Sequence, residues 1–402
     1  MTPTISPTPA QAKPWALIAL VALIGLNLRP FLTAPGPILA DIRTETGLSY
    51  DGVAMLTLLP TLLMGGGAFL APYVQVRAGT RRVMLAALAL LTMGSVLRLA
   101  PLGGPGLIMT AVLCGAGVAF VQAVFPGIIK ERFPTRISPV TGLYSAMIMC
   151  GGALGAQLTP FLAGGSSWRV ALACLAVPAA VAYLAARRTL ADTKVAAPDP
   201  TLTGQLIRRP RTWLLMAVFG LVNGGYSSMV AWLAPYYQTQ GWTAAESGSL
   251  VAIMAVSQAI AALAMPVLGL RWRDRRPWLC ATLVMQAVGF AGLAFHADAA
   301  PYLWTAICGA GLGGSFSLAL VTALDHLPRA EQAGALAALM QGGGFLIAAL
   351  APLIGSVLHG WTGSFAAVWI MHLACVAVSF ALYLRLDPRR YAQVMRLPDS
   401  AG

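Results

Sequence analysis

Arg77-Ala-Gly-Thr-Arg-Arg82 and Arg271-Trp-Arg-Asp-Arg-Arg276 are two short basic segments that lie 194 positions apart in a chain of 402 residues. The same offset relates two copies of the tetrapeptide Cys-Gly-Ala-Gly, at residues 114–117 and 308–311. Two unrelated segments are not expected to share one offset by chance over such a length of sequence. The chain is therefore predicted to consist of two halves that repeat one arrangement of elements.

The composition excludes a soluble globular protein. Hydrophobic residues make up 58% of the chain and charged residues only 10%, whereas soluble domains carry about 25% charged residues. The same composition excludes a disordered chain, a disulfide scaffold and a nucleic-acid-binding domain. The six cysteines all lie inside apolar stretches, which predicts that they are reduced packing residues and not metal ligands.

Twelve apolar runs are long enough to cross a membrane, which takes about 20 residues per helix. No alternation of polar and apolar residues supports strands, and an open sheet cannot span lipid. The sequence therefore predicts an all-α integral membrane protein with twelve transmembrane helices. The predicted runs cover residues 15–40, 51–76, 82–102, 104–129, 138–165, 168–188, 212–240, 244–270, 277–297, 299–327, 334–360 and 363–386.

Positive charges collect on one side of this predicted topology. With the N-terminus placed in the cytoplasm, 22 of the 26 Lys and Arg residues fall in cytoplasmic segments, as the positive-inside rule requires. Topology thus explains the net charge of +13 without a nucleic-acid partner. The predicted parts are a cytoplasmic tail at 1–14, an N-terminal six-helix half at 15–188, a cytoplasmic linker at 189–211, a C-terminal six-helix half at 212–386 and a cytoplasmic tail at 387–402.

This arrangement resembles the major facilitator superfamily over essentially the whole chain. The basic segments at 77–82 and 271–276 are similar to its signature between helices 2 and 3 and between helices 8 and 9, although the first copy lacks the usual acidic residue. Within the superfamily, Gly-Leu-Asn-Leu-Arg-Pro at 25–30 and Thr-Ala-Pro-Gly-Pro at 33–37 are similar to the cyanate/nitroimidazole (CynX/NimT-type) transporter family. The resemblance implies the major facilitator fold of two parallel-repeat six-helix halves. It also implies a secondary transporter of a small polar or anionic molecule in a bacterial inner membrane, working by alternating access.

Arg29 is the strongest candidate for a substrate-binding residue, because it lies close to the middle of the first predicted helix. A charged side chain there costs about 2.5 to 3.5 kcal/mol and needs a partner or a water-filled cavity. All 13 Asp and Glu residues fall in loops, tails or the last turn of a helix. We therefore expect a small anion to be the counter-ion, since the guanidinium fork matches such a ligand. The alternative is that Asn27, together with backbone carbonyls freed by Pro30, satisfies Arg29.

Polar and aromatic residues near the midpoints of other cavity-lining helices complete the predicted site. The alternative for each is a hydrogen bond between helices without a role in binding. Three aromatic residues nearer the outer end of their helix, Trp232, Tyr236 and Tyr237, are expected to form an aromatic belt at the membrane surface. The alternative is that they form an outer gate. The predicted substrate-binding residues are Asn27, Arg29, Gln122, Tyr144, Asn223, Tyr226, Gln258, Ser315 and Gln341.

Two acidic residues, Glu131 and Asp325, keep the offset of 194 and end helices 4 and 10 beside the basic segments. The resemblance implies that they form ion pairs at a cytoplasmic gate, which is closed while the site faces outward. The alternative is a set of solvated interfacial charges, each pair worth about 0 to 1 kcal/mol. The predicted gating residues are Arg81, Arg82, Glu131, Arg275, Arg276 and Asp325.

The sequence thus predicts a transporter that moves a small anion, cyanate-like or a small carboxylate, between the two halves. It contains no phosphate-binding loop, so ATP is not expected as the energy source, and no cofactor, metal or enzymatic activity is expected either. The predicted partners are the small-molecule substrate and membrane lipid, and the protein is expected to be a monomer. Uniport, exchange and coupling to protons stay open. Two other functions stay open as well: efflux of a neutral heteroaromatic such as a nitroimidazole, and a membrane receptor that does not transport.

Overall fold

The computed structural model describes residues 14–133, 136–191, 200–269 and 272–395. These residues form helices and connecting turns without any β-strand, and they include twelve segments long and apolar enough to cross a membrane, as the sequence predicts. The N-terminal half contains α1 (Pro14–Asn27), α2 (Pro30–Thr33), α3 (Leu39–Thr46), α4 (Tyr50–Ala78), α5 (Thr80–Val96), α6 (Gly104–Arg132), α7 (Ile137–Gly165), α8 (Trp168–Ala173) and α9 (Ala176–Thr189). The rest contains α10 (Pro200–Ile207), α11 (Pro210–Thr239), α12 (Ala244–Leu268), α13 (Arg276–Phe295), α14 (Pro301–Asp325), α15 (Ala330–Thr362), α16 (Ala366–Leu384) and α17 (Tyr391–Val394).

The first membrane span is broken at its midpoint. α1 ends at Asn27, Arg29 lies in a bend, and α2 begins at Pro30. Proline has no backbone N–H to donate to the preceding turn, so the regular helix ends here. The span itself ends at Thr33, where the chain turns before α3. The prediction of one apolar run over residues 15–40 is therefore wrong in its second half.

The repeated tetrapeptide marks a repeated crossing of helices. A methyl group added to Gly115 of α6 would lie 2.6 Å from the Cα atom of Pro60 in α4. A methyl group added to Gly309 of α14 would lie 2.6 Å from the carbonyl oxygen of Met254 in α12. Both pairs of positions keep the offset of 194. Since small residues let two membrane helices approach this closely, the two halves repeat one packing arrangement.

The loops collect at two ends of the molecule. We call the end that holds the loops after α4, α6, α9, α12 and α14 the basic end, because the arginine-rich segments lie there. The far end holds the loops after α3, α5, α7, α11, α13 and α15. The first and last described residues, 14 and 395, both lie at the basic end, as an even number of spans requires. The predicted linker and tails fall partly outside the described residues, and the division at residues 189–211 stays a prediction.

At the far end the two halves contact each other. Ser356 Oγ of α15 donates a hydrogen bond to Asp51 Oδ1 of α4 at 2.6 Å, and Gln238 Nε2 of α11 donates to the carbonyl oxygen of Pro37 at 2.6 Å. The ring of Tyr50 in α4 packs against three aromatic rings of the other half, those of Trp232, His359 and Phe365. The structure is thus closed at this end.

The expectation of an aromatic belt on α11 is wrong. Trp232 and Tyr237 are fully buried, and Tyr236 is half-buried. Each of the three donates a side-chain hydrogen bond to a backbone carbonyl, at Pro352, Ala297 and Leu293 respectively. Because these polar groups find partners inside the protein, the rings pack in its interior instead of lying at the surface of the membrane.

Candidate substrate-binding site

A small cavity lies between the two halves, about halfway along the spans. The centre of a water-sized sphere can move within about 10 Å³ of this cavity. The cavity therefore has room for about one water molecule. Arg29 is the only charged residue in its described lining. The lining consists of Arg29, Leu32, Thr57, Thr61, Met64, Asn223, Tyr226, Ser227, Val230 and Phe345.

Arg29 lies in the bend of the first span and is only 4% exposed. Its Cζ atom is 4.2 Å from the ring centroid of Tyr226 in α11, so the guanidinium face is covered by an aromatic ring of the other half. Its Nε and Nη1 atoms are buried and have no hydrogen-bond partner among the described residues. Asn27 does not supply one, because its Nδ2 donates to the carbonyl oxygens of Leu23 and Pro178. Two donor atoms of the guanidinium are therefore left without a partner among the described residues.

Two of the other predicted residues, Tyr144 and Gln258, also carry buried polar atoms that have no partner among the described residues: the Tyr144 hydroxyl and Gln258 Oε1. The backbone of Tyr144 in α7 packs against Gly25 of α1, one helical turn before Arg29 and towards the basic end. Its ring packs against that of Phe125 at 5.3 Å between centroids. Neither Tyr144 nor Gln258 belongs to the described lining of the cavity.

Two threonines of α4, Thr57 and Thr61, also line the cavity and were not predicted from the sequence. Their hydroxyls donate to the carbonyl oxygens of Ala54 and Thr57 at 3.1 and 2.7 Å. Both side chains are buried. Their spacing of four residues places them on one face of α4, and this pattern of hydroxyls in an otherwise apolar helix was the available signal. Ser227, beside Tyr226 in sequence, was missed as well.

Other predicted residues lie away from the cavity. Ser315 Oγ of α14 lies 2.6 Å from Thr282 Oγ1 and accepts a hydrogen bond from Gln286 Nε2 at 2.8 Å. This network joins α13 to α14 within the C-terminal half, which is the structural alternative considered for Ser315. Gln122 and Gln341 are partly exposed and are not part of the described lining. Asn223 does line the cavity, and its Nδ2 donates to the carbonyl oxygen of Phe219 at 2.8 Å.

One of the predicted ion pairs is present at the basic end. Arg275 Nε donates to Asp325 Oδ2 at 3.1 Å. Arg276 pairs instead with Asp274, with Nη2 and Oδ2 2.7 Å apart. Both pairs lie within the C-terminal half, so in this conformation they tie the end of α14 and the α12–α13 loop to their own half.

The matching segment of the N-terminal half is arranged differently. Arg81 Nη2 donates to the backbone carbonyl of Arg187 at 3.0 Å, which ties the start of α5 to the end of α9. Arg82 and Glu131 are exposed. The gating role of these residues remains a proposal.

The last described segment packs on the end of α14. The ring of Tyr391 stacks on that of His326, with centroids 3.7 Å apart, and Arg211 Nη1 donates to the carbonyl oxygen of Arg385 at 2.7 Å. His326 lies just beyond the membrane-spanning part of α14 and is 2% exposed. Burial, together with the charge of Arg211, lowers the pKa of His326 to about 4, so it is neutral at pH 7.

The fold and the cavity define a class of protein: a polytopic membrane transporter whose two repeated halves enclose a site for a small molecule. The sequence matches the family described as the Major Facilitator Superfamily over residues 15–270 and 236–395. The chain belongs to this superfamily, as the sequence motifs imply.

Relatives within this superfamily are similar over nearly the whole chain. The chain is 41% identical over 380 residues to the cyanate transport protein CynX of Escherichia coli K12, covering 94% of this chain and 99% of that protein. It is 30% identical to the 2-nitroimidazole transporter of the same organism, covering 91% and 94%. A solved structure of a bacterial homologue of the human lysosomal transporter Spinster, inward-facing and occupied, matches with a TM-score of 0.75 at 15% identity, covering 97% of this chain and 100% of that one. This last likeness shows the fold alone.

Proposed function

We propose that this chain carries a small anion, cyanate or a small carboxylate, across the bacterial inner membrane by alternating access, and that Arg29 binds the anion. The strongest support is the buried guanidinium of Arg29, whose Nε and Nη1 have no partner among the described residues. The described lining of the cavity contains no carboxylate. Because an unpaired cation in the middle of a membrane is costly, an anion bound to this guanidinium is stabilising. The relative at 41% identity is named for cyanate transport.

The basic end faces the cytoplasm in this proposal. The arginines at 77–82, 208–211 and 385–390 lie at that end, and positive charge is retained on the cytoplasmic side of membranes. Both termini are then cytoplasmic. The conformation is closed towards the outside, because the far-end contacts join the two halves there.

Transport then requires the two halves to rock about the cavity. When the site opens outward, the far-end contacts between α4 and α15 and between α11 and the segment after α2 separate. The predicted gating residues at the basic end, among them Arg275 and Asp325 at 3.1 Å, would meet the opposite half in that state. We propose that the protein acts as a monomer, since each chain contains a complete cavity.

Efflux of a neutral heteroaromatic is the second candidate, because a relative at 30% identity is named a 2-nitroimidazole transporter. One observation favours the anion. The unpartnered donors of Arg29 match a negative ligand, whereas a neutral ring leaves the charge uncompensated.

The test is flux into proteoliposomes that contain the purified protein. Labelled cyanate, acetate and 2-nitroimidazole are presented separately under imposed pH and voltage gradients, with protein-free liposomes as the control. We expect anion uptake well above the control, and its response to the two gradients identifies uniport, exchange or proton coupling. Uptake of 2-nitroimidazole without anion flux would instead support transport of a neutral heteroaromatic. Anion binding without any flux would support a receptor.

A further inference from the structure

A stripe of residues on one face of α11 contacts the N-terminal half all the way from the cavity to the far end. Its members, four residues apart, are Tyr226, Val230, Ala234 and Gln238. Residues at this spacing share one face of a helix. Tyr226 stacks on Arg29, Gln238 donates to the carbonyl oxygen of Pro37, and between them a methyl group added to Gly36 would lie 3.1 Å from the carbonyl oxygen of Val230 and 3.9 Å from Ala234 Cβ. Tyr226 is thus the innermost member of the contact that closes the far end.

The contact between Tyr226 and Arg29 leaves two in-plane donors of the guanidinium without a partner among the described residues. The ring lies over the guanidinium, with Cζ 4.2 Å from the centroid, as in a cation–π contact. A stacked guanidinium keeps its in-plane donors available. Nε and Nη1 are the two in-plane donor atoms that have no partner among the described residues. An aromatic ring supplies no negative charge that would compete with an anion.

We infer that Tyr226 is a positioning residue for Arg29: its ring, supplied by the opposite half, fixes the guanidinium in position to donate to the anion when the far end is closed. This inference rests on the proposed function. Arginine has a long side chain with much rotamer freedom, and fixing it before the ligand arrives raises affinity. Because the contact crosses between the halves, opening the far end along the stripe removes it. Anion affinity is then higher in the conformation described here than in the outward-open one.

The test compares the KM and Vmax of cyanate uptake in proteoliposomes for three variants. Tyr226→Leu keeps apolar bulk and removes the ring, and it should raise KM about 5- to 30-fold, the range expected for loss of a partly or fully desolvated cation–π contact. Vmax per folded protein should change less than about threefold. Tyr226→Phe keeps the ring and should restore most of the affinity. Tyr73→Leu, at a half-exposed tyrosine of α4, should match the wild type.

Several results would overturn this inference while leaving the proposed function in place. One is wild-type cyanate uptake with an unchanged KM in Tyr226→Leu. Another is an equal loss of affinity in Tyr226→Phe and Tyr226→Leu, because the hydroxyl would then contact the substrate itself. Tyr226→Met is the second ring-free variant if the leucine variant does not fold, and it should show the same rise in KM. A wild-type protein that neither binds nor moves any anion contradicts the proposed function and this inference together.

Discussion

Arg29 differs from Arg169 and Arg275 in what surrounds its charge. Arg169 pairs with Glu45, and Arg275 pairs with Asp325. Arg29 has an aromatic ring on one face, while its Nε and Nη1 atoms meet no partner among the described residues. A buried charge without a counter-charge is stable only if a ligand or water compensates it. This difference, more than burial alone, is what supports an anion site.

His326 predicts a pH dependence of stability at the basic end. The pKa of this histidine is lowered from its ordinary 6.5 to about 4 by burial and by Arg211. As pH falls below about 6.5 the unfolded chain takes up this proton and the folded protein does not, so stability is lost, and the loss is complete near pH 4. At pH 5.5 we expect His326 to account for about 1 kcal/mol of this loss.

The measurement is the thermal unfolding midpoint of the detergent-solubilised protein at pH 7.5 and at pH 5.5. Replacing His326 with Phe keeps a ring against Tyr391 and should reduce the drop between the two pH values. The control is His296→Gln, at an exposed histidine, which should retain the wild-type drop. An equal drop in His326→Phe and the wild type would contradict the assigned burial of a neutral imidazole.

Only part of the candidate site could be predicted from residue types. Of the nine predicted substrate-binding residues, Arg29, Asn223 and Tyr226 line the cavity. A helix that is apolar on every side gives no period that shows which face points inward. Asn27 is two positions from Arg29 and therefore points elsewhere, to the carbonyl oxygens of Leu23 and Pro178. Which side of a helix faces the cavity depends on packing between helices, and the residue type alone does not encode this packing.

At the scale of single helices, the break in the first span is what places Arg29. The bend is held against α7 by close packing of backbone. Thr33 Oγ1 donates to the carbonyl oxygen of Gly152 at 2.8 Å, and a methyl group on Gly155 would lie 2.7 Å from the Cα atom of Pro30. Small residues on α7 thus let the broken segment lie directly on that helix.

Gly151 of α7 gives the sharpest test of this packing. A methyl group at Gly151 would overlap the backbone carbonyl oxygen of Leu26, which cannot move aside as a flexible side chain can. We expect Gly151→Ala to destabilise the protein by about 1 to 3 kcal/mol, as overpacking does, and to lower the thermal unfolding midpoint.

The matched control is Gly66→Ala in α4, where an added methyl group meets no atom within 4 Å. Alanine favours a helix over glycine by about 1 kcal/mol, so this variant should unfold at the wild-type temperature or above it. If Gly151→Ala were as stable as Gly66→Ala, the close approach of α1 and α7 would be wrong.

The existence of the twelve spans could be predicted because length and hydropathy suffice for a membrane helix. The interruptions were harder to place. The sixth span bends at residues 174–175, between α8 and α9, although the sequence predicts one continuous apolar run over residues 168–188. Prolines are common in membrane helices, so Pro30 by itself did not predict that the first span ends at Thr33.

At the scale of the whole molecule, the offset of 194 predicted two repeated halves, and the matched crossings at Gly115 and Gly309 show the physical basis of that repeat. The closed end could not be predicted. It depends on contacts between distant positions, such as Asp51 with Ser356, that repeat no sequence pattern. A sequence also encodes more than one conformation of a transporter, and the contacts of one of them cannot be read from it.

In the proposed function, the two halves carry an anion that is held by Arg29. The most direct measurement is initial cyanate uptake into proteoliposomes by the wild type, Arg29→Gln and Arg169→Gln, at equal amounts of folded protein. Arg169 is the matched control, because it is an arginine outside the cavity that pairs with Glu45. We expect Arg29→Gln to lose at least about 100-fold in uptake efficiency, since a charge-assisted bidentate contact is lost in a buried site, and Arg169→Gln to stay within about threefold of the wild type. Cyanate uptake by Arg29→Gln at the wild-type rate would contradict the account.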